Sequence, residues 1–140
     1  MVDQQEVAAW DAVFANNLAA FSATLNDESD IRRSLRAKVD GRTMLMTAAG
    51  LGHLPMLRVL IDRGADLEAE SDYVGDAGMT PLMFAAQSGE LACLQVLINA
   101  GADVTATAND GRTMLMCAVE SGELACVRAF LAASNDGSDF

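Results

Sequence analysis

Gly78–Asp103 reads G-M-T-P-L-M-F-A-A-Q-S-G-E-L-A-C-L-Q-V-L-I-N-A-G-A-D and is the most complete copy of a unit that recurs along the chain. Upstream, Gly41–Asp66 reads G-R-T-M-L-M-T-A-A-G-L-G-H-L-P-M-L-R-V-L-I-D-R-G-A-D. Downstream, the chain from Gly111 reads G-R-T-M-L-M-C-A-V-E-S-G-E-L-A-C-V-R-A-F-L. A short unit that recurs at a nearly fixed period indicates an array in which each unit packs on its neighbours.

Each unit carries the start and stop signals of two short helices. Thr43 is placed to cap a helix over 44–50, since its hydroxyl can accept a backbone N–H of the first turn. Pro55 stands in the first turn of a second helix, where its missing N–H costs little. Gly64 then stands where a helix usually ends. The sequence therefore predicts helix pairs joined by tight turns.

The composition agrees with helices and limits the choice of partner. Hydrophobic residues make up 51% of the 140 residues and aromatic residues only 5%, which favours close-packed helices over a β-sandwich. The formal net charge is −11. Nucleic acid and anionic lipid both reward a positive surface, so neither is an expected partner. A basic protein partner, or simply good solubility, fits the charge better.

The N-terminal residues and the cysteines predict a cytoplasmic location. Residues 1–6 are polar and acidic, without the positive and apolar regions of a signal peptide. No apolar run is long enough to span a bilayer. Three cysteines (Cys93, Cys117 and Cys126) have no metal-ligand spacing with the single histidine and fit a reducing compartment.

Two segments precede the first clear unit. Residues 7–26 predict two short helices with a break at Asn16-Asn17, and we interpret them as a degenerate first unit that covers one end of the array. Residues 27–40 open acidic and then turn basic. Five of the nine Lys and Arg residues lie here or just beyond: Arg32, Arg33, Arg36, Lys38 and Arg42. This stretch is either a solvated loop or helical extension, or a basic spot offered to an acidic partner.

The loop before the second unit is longer than its counterpart. Thr43 to Thr80 exceeds Thr80 to Thr113 by four residues, and the excess lies within Ser71–Asp76. This segment contains Tyr73, the only tyrosine. An insertion in a repeat array falls on one face, often the binding face. A tolerated loop elongation is the alternative, because long surface loops cost little entropy.

The repeated elements resemble the ankyrin repeat. The spacing of Gly78 and Gly111 equals the period of that family, and the second unit carries nearly its full pattern at Thr80, Pro81, Leu82, Ala85, Ala86, Gly89, Leu91 and Gly101-Ala102-Asp103. The resemblance is clear over residues 39–131 and weak over 7–38. It implies an all-α solenoid of stacked helix-turn-helix units with β-hairpin-like fingers.

The resemblance also implies a division of the chain. The predicted parts are a capping repeat and connector over 1–38, repeat 1 over 39–70, repeat 2 with an extended finger over 71–106, repeat 3 as the C-terminal cap over 107–133, and a polar tail over 134–140. The sequence departs from the family at the histidine that usually ties neighbouring repeats together. Methionine replaces it at Met46, Met83 and Met116. These thioethers form either a packed seam or an adaptable patch for a partner.

The usual partner surface of the family consists of fingertips and first helices. Carried over to this sequence, the exposed positions are Val39, Asp40, Arg42, Gly50, Leu51, Asp76, Ala77, Met79, Gln87, Ser88, Asn109, Asp110, Arg112, Glu120 and Ser121. From these and the long finger, the predicted partner-binding residues are Arg42, Asp72, Tyr73, Val74, Asp76, Met79, Gln87, Ser88, Asn109, Asp110, Arg112 and Glu120. We expect Tyr73 to be an anchor, since tyrosine offers a large contact area at low rotamer cost.

No catalytic or metal-binding set emerges from the sequence. His53 stands between two helices, where we expect it to cap the second, and the thiols are expected to be packed rather than nucleophilic. The acids from Asp66 to Asp76 lack the spacing of a calcium loop. The sequence thus predicts a non-enzymatic protein-binding module without cofactor, metal or small-molecule substrate, monomeric when free. The alternatives are an inhibitor that masks a basic active site and an oligomerising scaffold fragment.

Overall fold

The structure is a computed structural model, and it describes residues 4–24 and 28–135. Within them the chain forms helices joined by turns, and the extended pairing is limited to isolated bridges, Val39 with Arg42 and Thr107 with Thr113. The helices are α1 (Gln4–Ala15), α2 (Leu18–Thr24), α3 (Glu28–Arg36), α4 (Met44–Leu51), α5 (Leu54–Asp62), α6 (Pro81–Gln87), α7 (Leu91–Asn99), α8 (Met114–Ser121) and α9 (Leu124–Asn135). A 3₁₀ turn spans Val74–Asp76. The predicted all-α repeat solenoid is confirmed.

The helices form two layers. In one layer α1, α4, α6 and α8 follow one another in contact, and in the other α2, α5, α7 and α9 do the same. Each helix also packs on its partner in the pair, α1 on α2 and α4 on α5, for example. The buried core runs through the whole stack, because every pair has apolar side chains facing the next pair. The predicted division into repeats and tail stays a prediction, and residues 136–140 of the tail lie outside the described residues.

The caps lie where the sequence places them in two of the three clear units. The Met46 N–H donates to Thr43 Oγ1 (3.3 Å), and the Met116 N–H donates to Thr113 Oγ1 (3.2 Å). Thr80 holds the same place before α6, yet its side chain makes no cap bond. Its hydroxyl is buried and has no hydrogen-bond partner among the described residues.

Methionine takes part in the cap and fills the seam between repeats. The Thr43 N–H donates to Met46 Sδ (3.4 Å), which completes a reciprocal cap in which sulfur is the acceptor. Met46 and Met83 are both buried to 1% exposure. Met116 is half exposed, because α8 is the last helix of its layer in the described chain. The interpretation as a packed seam therefore fits two of the three methionines.

The segments before the first clear repeat are helical. Asn16 adopts a left-handed backbone (φ 54°), which ends α1 and starts the tight turn into α2. Beyond it, α3 shows that the basic stretch is a helical extension rather than a loop. Ile31 and Leu35, one turn apart, are buried on the side of α3 that faces the core. The opening residue of that stretch, Asp27, lies outside the described residues.

Comparison of Thr43 and Thr80 yields a test of the caps. Both residues are buried to the same extent, and Thr→Ala removes the same atoms at each. We expect Thr43→Ala to lower the free energy of unfolding by about 1 kcal/mol more than Thr80→Ala, because only Thr43 accepts a helix N–H. Urea unfolding followed by circular dichroism measures the difference. Equal losses would contradict a stabilising role for the Thr43 hydroxyl.

Candidate functional site

A groove of about 390 Å³ crosses the layer of first helices beside the fingers. Gly50 on α4 lines it together with Phe14 on α1 and Gln87 at the end of α6. A Cβ at Gly50 would have no atom closer than 3.9 Å, so it would fit there in ordinary van der Waals contact. The lining residues are Phe14, Val39, Asp40, Arg42, Met46, Thr47, Gly50, Leu51, Asp76, Phe84, Gln87 and Ser88.

The edges of the groove are apolar and accessible. Phe14 and Leu51 are each about half exposed, and Val39 is 41% exposed. Phe14 is held in place by Trp10, whose buried ring lies 6.0 Å away between centroids. Large apolar side chains that stay exposed around one concavity are typical of a protein contact surface.

Arg42 joins three parts of the molecule at one end of the groove. It comes from the first finger and pairs with Asp76, which belongs to the second. Its guanidinium also lies 5.0 Å from the ring centroid of Tyr73 and 5.2 Å from that of Phe84 on α6. Cation–π contacts of this kind stabilise by about 0.5–2 kcal/mol, more when water is excluded. The ion pair and the two rings therefore fix the second finger against the first.

Backbone hydrogen bonds close the second finger on itself and tie it to the first. The Ser71 N–H donates to Met79 O (2.9 Å), and the Gly78 N–H donates to Ser71 O (2.8 Å). The Ser71 hydroxyl also bonds Asp76. Towards the first finger, the Asp72 N–H donates to Gly41 O (2.8 Å). The inserted segment is thus an ordered part of the surface, and its role in binding stays a prediction beside the alternative of a tolerated elongation.

Two predicted site residues are buried. Met79 is fully buried, because the finger folds back over it, so the expectation that its side chain is exposed is wrong. Asp76 is 9% exposed and engaged by Arg42 and Ser71, so its expected exposure is also wrong. Ala77 is only partly exposed. Asp76 lines the groove, and its carboxylate pairs there with Arg42.

The remaining predicted residues fall into separate places. Arg42, Gln87 and Ser88 share the groove. Tyr73 is half exposed beside Arg42, and Val74 at the fingertip is 94% exposed. Asp72 pairs with Lys38 at 2.7 Å. Asn109 is tied to the second finger by its N–H, which donates to Ala77 O (3.0 Å).

Three predicted residues form a second cluster, two of them on the third finger and Glu120 on α8. Arg112 Nε lies 2.9 Å from Asp110 Oδ2, and its Nη1 lies 3.7 Å from Glu120 Oε1. A hydrogen bond from the Arg112 backbone N–H lowers the pKa of Asp110 below its ordinary value. The cluster is outside the groove, and its charges largely satisfy one another.

The comparison with known protein families decides the classification. A family model described as ankyrin repeats (3 copies) matches residues 9–108 and 74–140. The chain belongs to the ankyrin-repeat family. Comparison with curated proteins gives no significant match. Ankyrin repeats are in general protein–protein interaction modules and are typically not enzymes.

Part of the groove could have been found from the sequence. The ankyrin register that aligns Leu18 with Leu54 also aligns Phe14 with Gly50, a position expected to be exposed. Phe14 was nevertheless not predicted as a site residue, because its spacing from other apolar residues is typical of the buried face of a helix. Thr47 and Phe84 line the groove as well. No sequence signal indicates them, because their access depends on the small residues of the neighbouring helix.

The reactive side chains of the ankyrin stack are engaged in packing. Cys93, Cys117 and Cys126 are buried free thiols, in agreement with the expectation that they are packed. Burial, with a smaller effect of Glu90, raises the pKa of Cys93 from 9.0 to about 11. His53 makes no cap bond to α5 and instead hydrogen-bonds Val13 O through Nδ1 (3.1 Å). His53 therefore holds the N-cap position of α5 as expected, but without a side-chain cap bond, and a structural role is supported.

Two further observations concern the described residues. Among them, no group of three or more His, Cys, Asp or Glu side chains is arranged to hold a metal ion. None of the helices in the described ranges combines the length and apolar character that crossing a bilayer requires.

Two glycines test how firmly the fingers dock. Gly41 (φ 80°) and Gly64 (φ 95°) both have left-handed backbones, so Ala at either position costs roughly 1–2 kcal/mol of strain. A Cβ on Gly41 would also lie 2.4 Å from the Tyr73 backbone N, whereas one on Gly64 meets nothing within 4 Å. We expect Gly41→Ala to destabilise more and to speed amide hydrogen exchange at Asp72. Matching unfolding curves and exchange rates for the two variants would contradict finger docking.

From the raised pKa of the Cys93 thiol we expect the protein to lose stability at alkaline pH. Its pKa is higher in the folded protein than in the unfolded chain, so the folded state keeps the proton that the unfolded state loses. The stabilising contribution is complete below pH 9.0 and is lost as the pH rises towards about 11. We expect the free energy of unfolding to fall less steeply across this range in Cys93→Ala. Parallel pH profiles for the variant and the wild type would rule out this contribution.

Proposed function

We propose that the protein is a binding module that holds one protein partner in the groove over Gly50. The observation that carries the proposal is the groove itself, with apolar edges kept exposed around a concavity. Much of its wall comes from helices that pack on one another, so that part moves little on binding and loses little entropy. This extends to a particular surface what ankyrin repeats do in general.

The groove also favours a particular kind of contact. Phe14, Val39 and Leu51 offer apolar area on which a large side chain of the partner can be buried. Asp40 lies at the same rim, and its carboxylate has no ion pair within the described residues. A partner segment with a basic side chain next to a large apolar one matches both the apolar rim and the Asp40 carboxylate. The net charge of −11 agrees, because it attracts a basic partner over a longer range.

The fingertip of the second repeat supplies a second contact for the same partner. Val74 is 94% exposed and Tyr73 half exposed, and Arg42 connects this fingertip to the groove. An exposed apolar side chain on an ordered loop is a suitable anchor, since little conformational freedom remains to be lost. We therefore place Tyr73 and Val74 at the edge of the interface and the groove at its centre.

The substitution Gly50→Leu tests the groove without weakening the fold. Gly50 has ordinary helical geometry, and a Cβ there would stand in ordinary van der Waals contact with Phe84 and Ser88, so leucine extends into the groove and removes the helical cost of glycine, about 0.5–1 kcal/mol. We expect the stability of the variant to be unchanged or higher. In a pull-down from an extract of cells that naturally contain the protein, we expect the tagged variant to lose the proteins that the tagged wild type retains. Quantitative mass spectrometry of the retained proteins measures the loss.

The matched control for this experiment is Gln95→Leu. Gln95 is exposed on α7, in the other layer of helices, and the change adds the same apolar side chain far from the groove. We expect it to retain the same proteins as the wild type. Equal retention by Gly50→Leu would show that the groove is not the contact surface. If Val74→Asp abolishes retention and Gly50→Leu does not, the contact surface is the fingertip and not the groove.

A further inference from the structure

A second cleft lies between α3 and the end of α5 and shares no lining residue with the groove. It is open, has a volume of about 790 Å³, and is lined by Arg32, Leu35, Arg36, Arg63, Gly64 and Asp66. This size falls within the roughly 300–1,000 Å³ of known ligand pockets. We propose that this cleft binds an acidic segment of a polypeptide, with its arginines as the carboxylate-binding groups.

The three arginines converge without partners of their own. Arg32 and Arg36 stand one turn apart on α3, and Arg63 follows the last turn of α5. Within the described chain none of the three makes an ion pair or a side-chain hydrogen bond, although other basic residues do, such as Lys38 with Asp72. Like charges at this spacing repel each other, and a bound anion removes that repulsion.

The carboxylates near the cleft do not cancel this charge. Asp66 is the only acid among the lining residues, so its single negative charge offsets at most one of the three arginine charges. Asp30, also on α3, pairs with Arg33 at 2.7 Å. Leu35 forms an apolar part of the wall, where lower exposure to water strengthens an ion pair. The cleft is thus a local positive site on a protein of net charge −11.

The chemistry of the cleft favours a short acidic peptide over a nucleic acid. The guanidinium fork matches the two oxygens of a carboxylate, and three such groups can hold neighbouring acidic side chains. A nucleic acid carries charge along its whole length, so it would extend beyond the cleft onto a surface rich in Asp and Glu. A short acidic segment keeps its charge within the cleft.

The probe for this site is a fluorescently labelled peptide of eight residues in which glutamate and glycine alternate. Fluorescence anisotropy at low ionic strength follows its binding to the full-length protein, with a glutamine-for-glutamate peptide as the uncharged control. We expect saturable binding that weakens with salt, and no binding of the control peptide. Two-dimensional NMR of the wild type locates the site, with the largest shifts expected at Leu35 and Gly64.

Two double variants that remove the same charge separate the cleft from the overall field of the protein. Arg32→Gln with Arg63→Gln changes the cleft, whereas Arg58→Gln with Arg128→Gln changes two exposed arginines outside it. We expect the first pair to weaken binding by about tenfold or more, because charge-assisted contacts are lost, and the second pair by about twofold at most. Circular dichroism confirms that both variants are folded.

Three results would overturn the proposal. They are the absence of saturable peptide binding, equal weakening by the two double variants, and an oligonucleotide of the same charge binding at least as tightly as the peptide. None of these results bears on the groove, because Gly50→Leu leaves the cleft unchanged. The proposal for the cleft and the proposal for the groove therefore fail separately.

Discussion

The structure depends on one constraint: each inner helix pair has apolar surface on both sides, and a neighbouring pair must cover each side. The seam residues Met46 and Met83 are buried for this reason, while Met116 at the end of its layer is half exposed. Stacking also fixes the register of the fingers, since every finger leaves the stack at the same point of its repeat. The groove follows from that register, because Phe14, Gly50 and Gln87 meet side by side.

A second constraint acts on the finger of the middle repeat. An inserted segment gains no support from stacking, so its order has to come from contacts of its own. Backbone hydrogen bonds supply part of them, and Arg42 supplies the rest, since its charge meets Asp76 while its flat guanidinium lies near Tyr73 and Phe84. The arginine is therefore used largely inside the molecule. The groove and the fingertip are left with apolar edges and with Asp40 as the accessible charge.

The sequence predicted what local chemistry controls and missed what distant contacts control. Thr43 and Asn16 mark a helix start and a helix end through their own hydrogen bonds or backbone preference, and both signals were read correctly. Burial of Met79 depends on the finger closing back from Ser71, which no local pattern shows. The approach of Arg42 to Asp76 joins residues 34 positions apart. Candidate site residues could therefore be grouped by repeat but not sorted into exposed and buried.

The methionine seam has a chemical consequence for the lifetime of the fold. Where the family usually has a histidine, this chain has a thioether, and thioethers are oxidised by peroxide to polar sulfoxides. Met116 is accessible to oxidants in the folded protein, whereas Met46 and Met83 become accessible when the stack opens. A sulfoxide at Met46 would place a polar group in the apolar seam and alter the acceptor that meets the Thr43 N–H. Oxidation during opening would then hinder restacking, which makes the array vulnerable to oxidative damage.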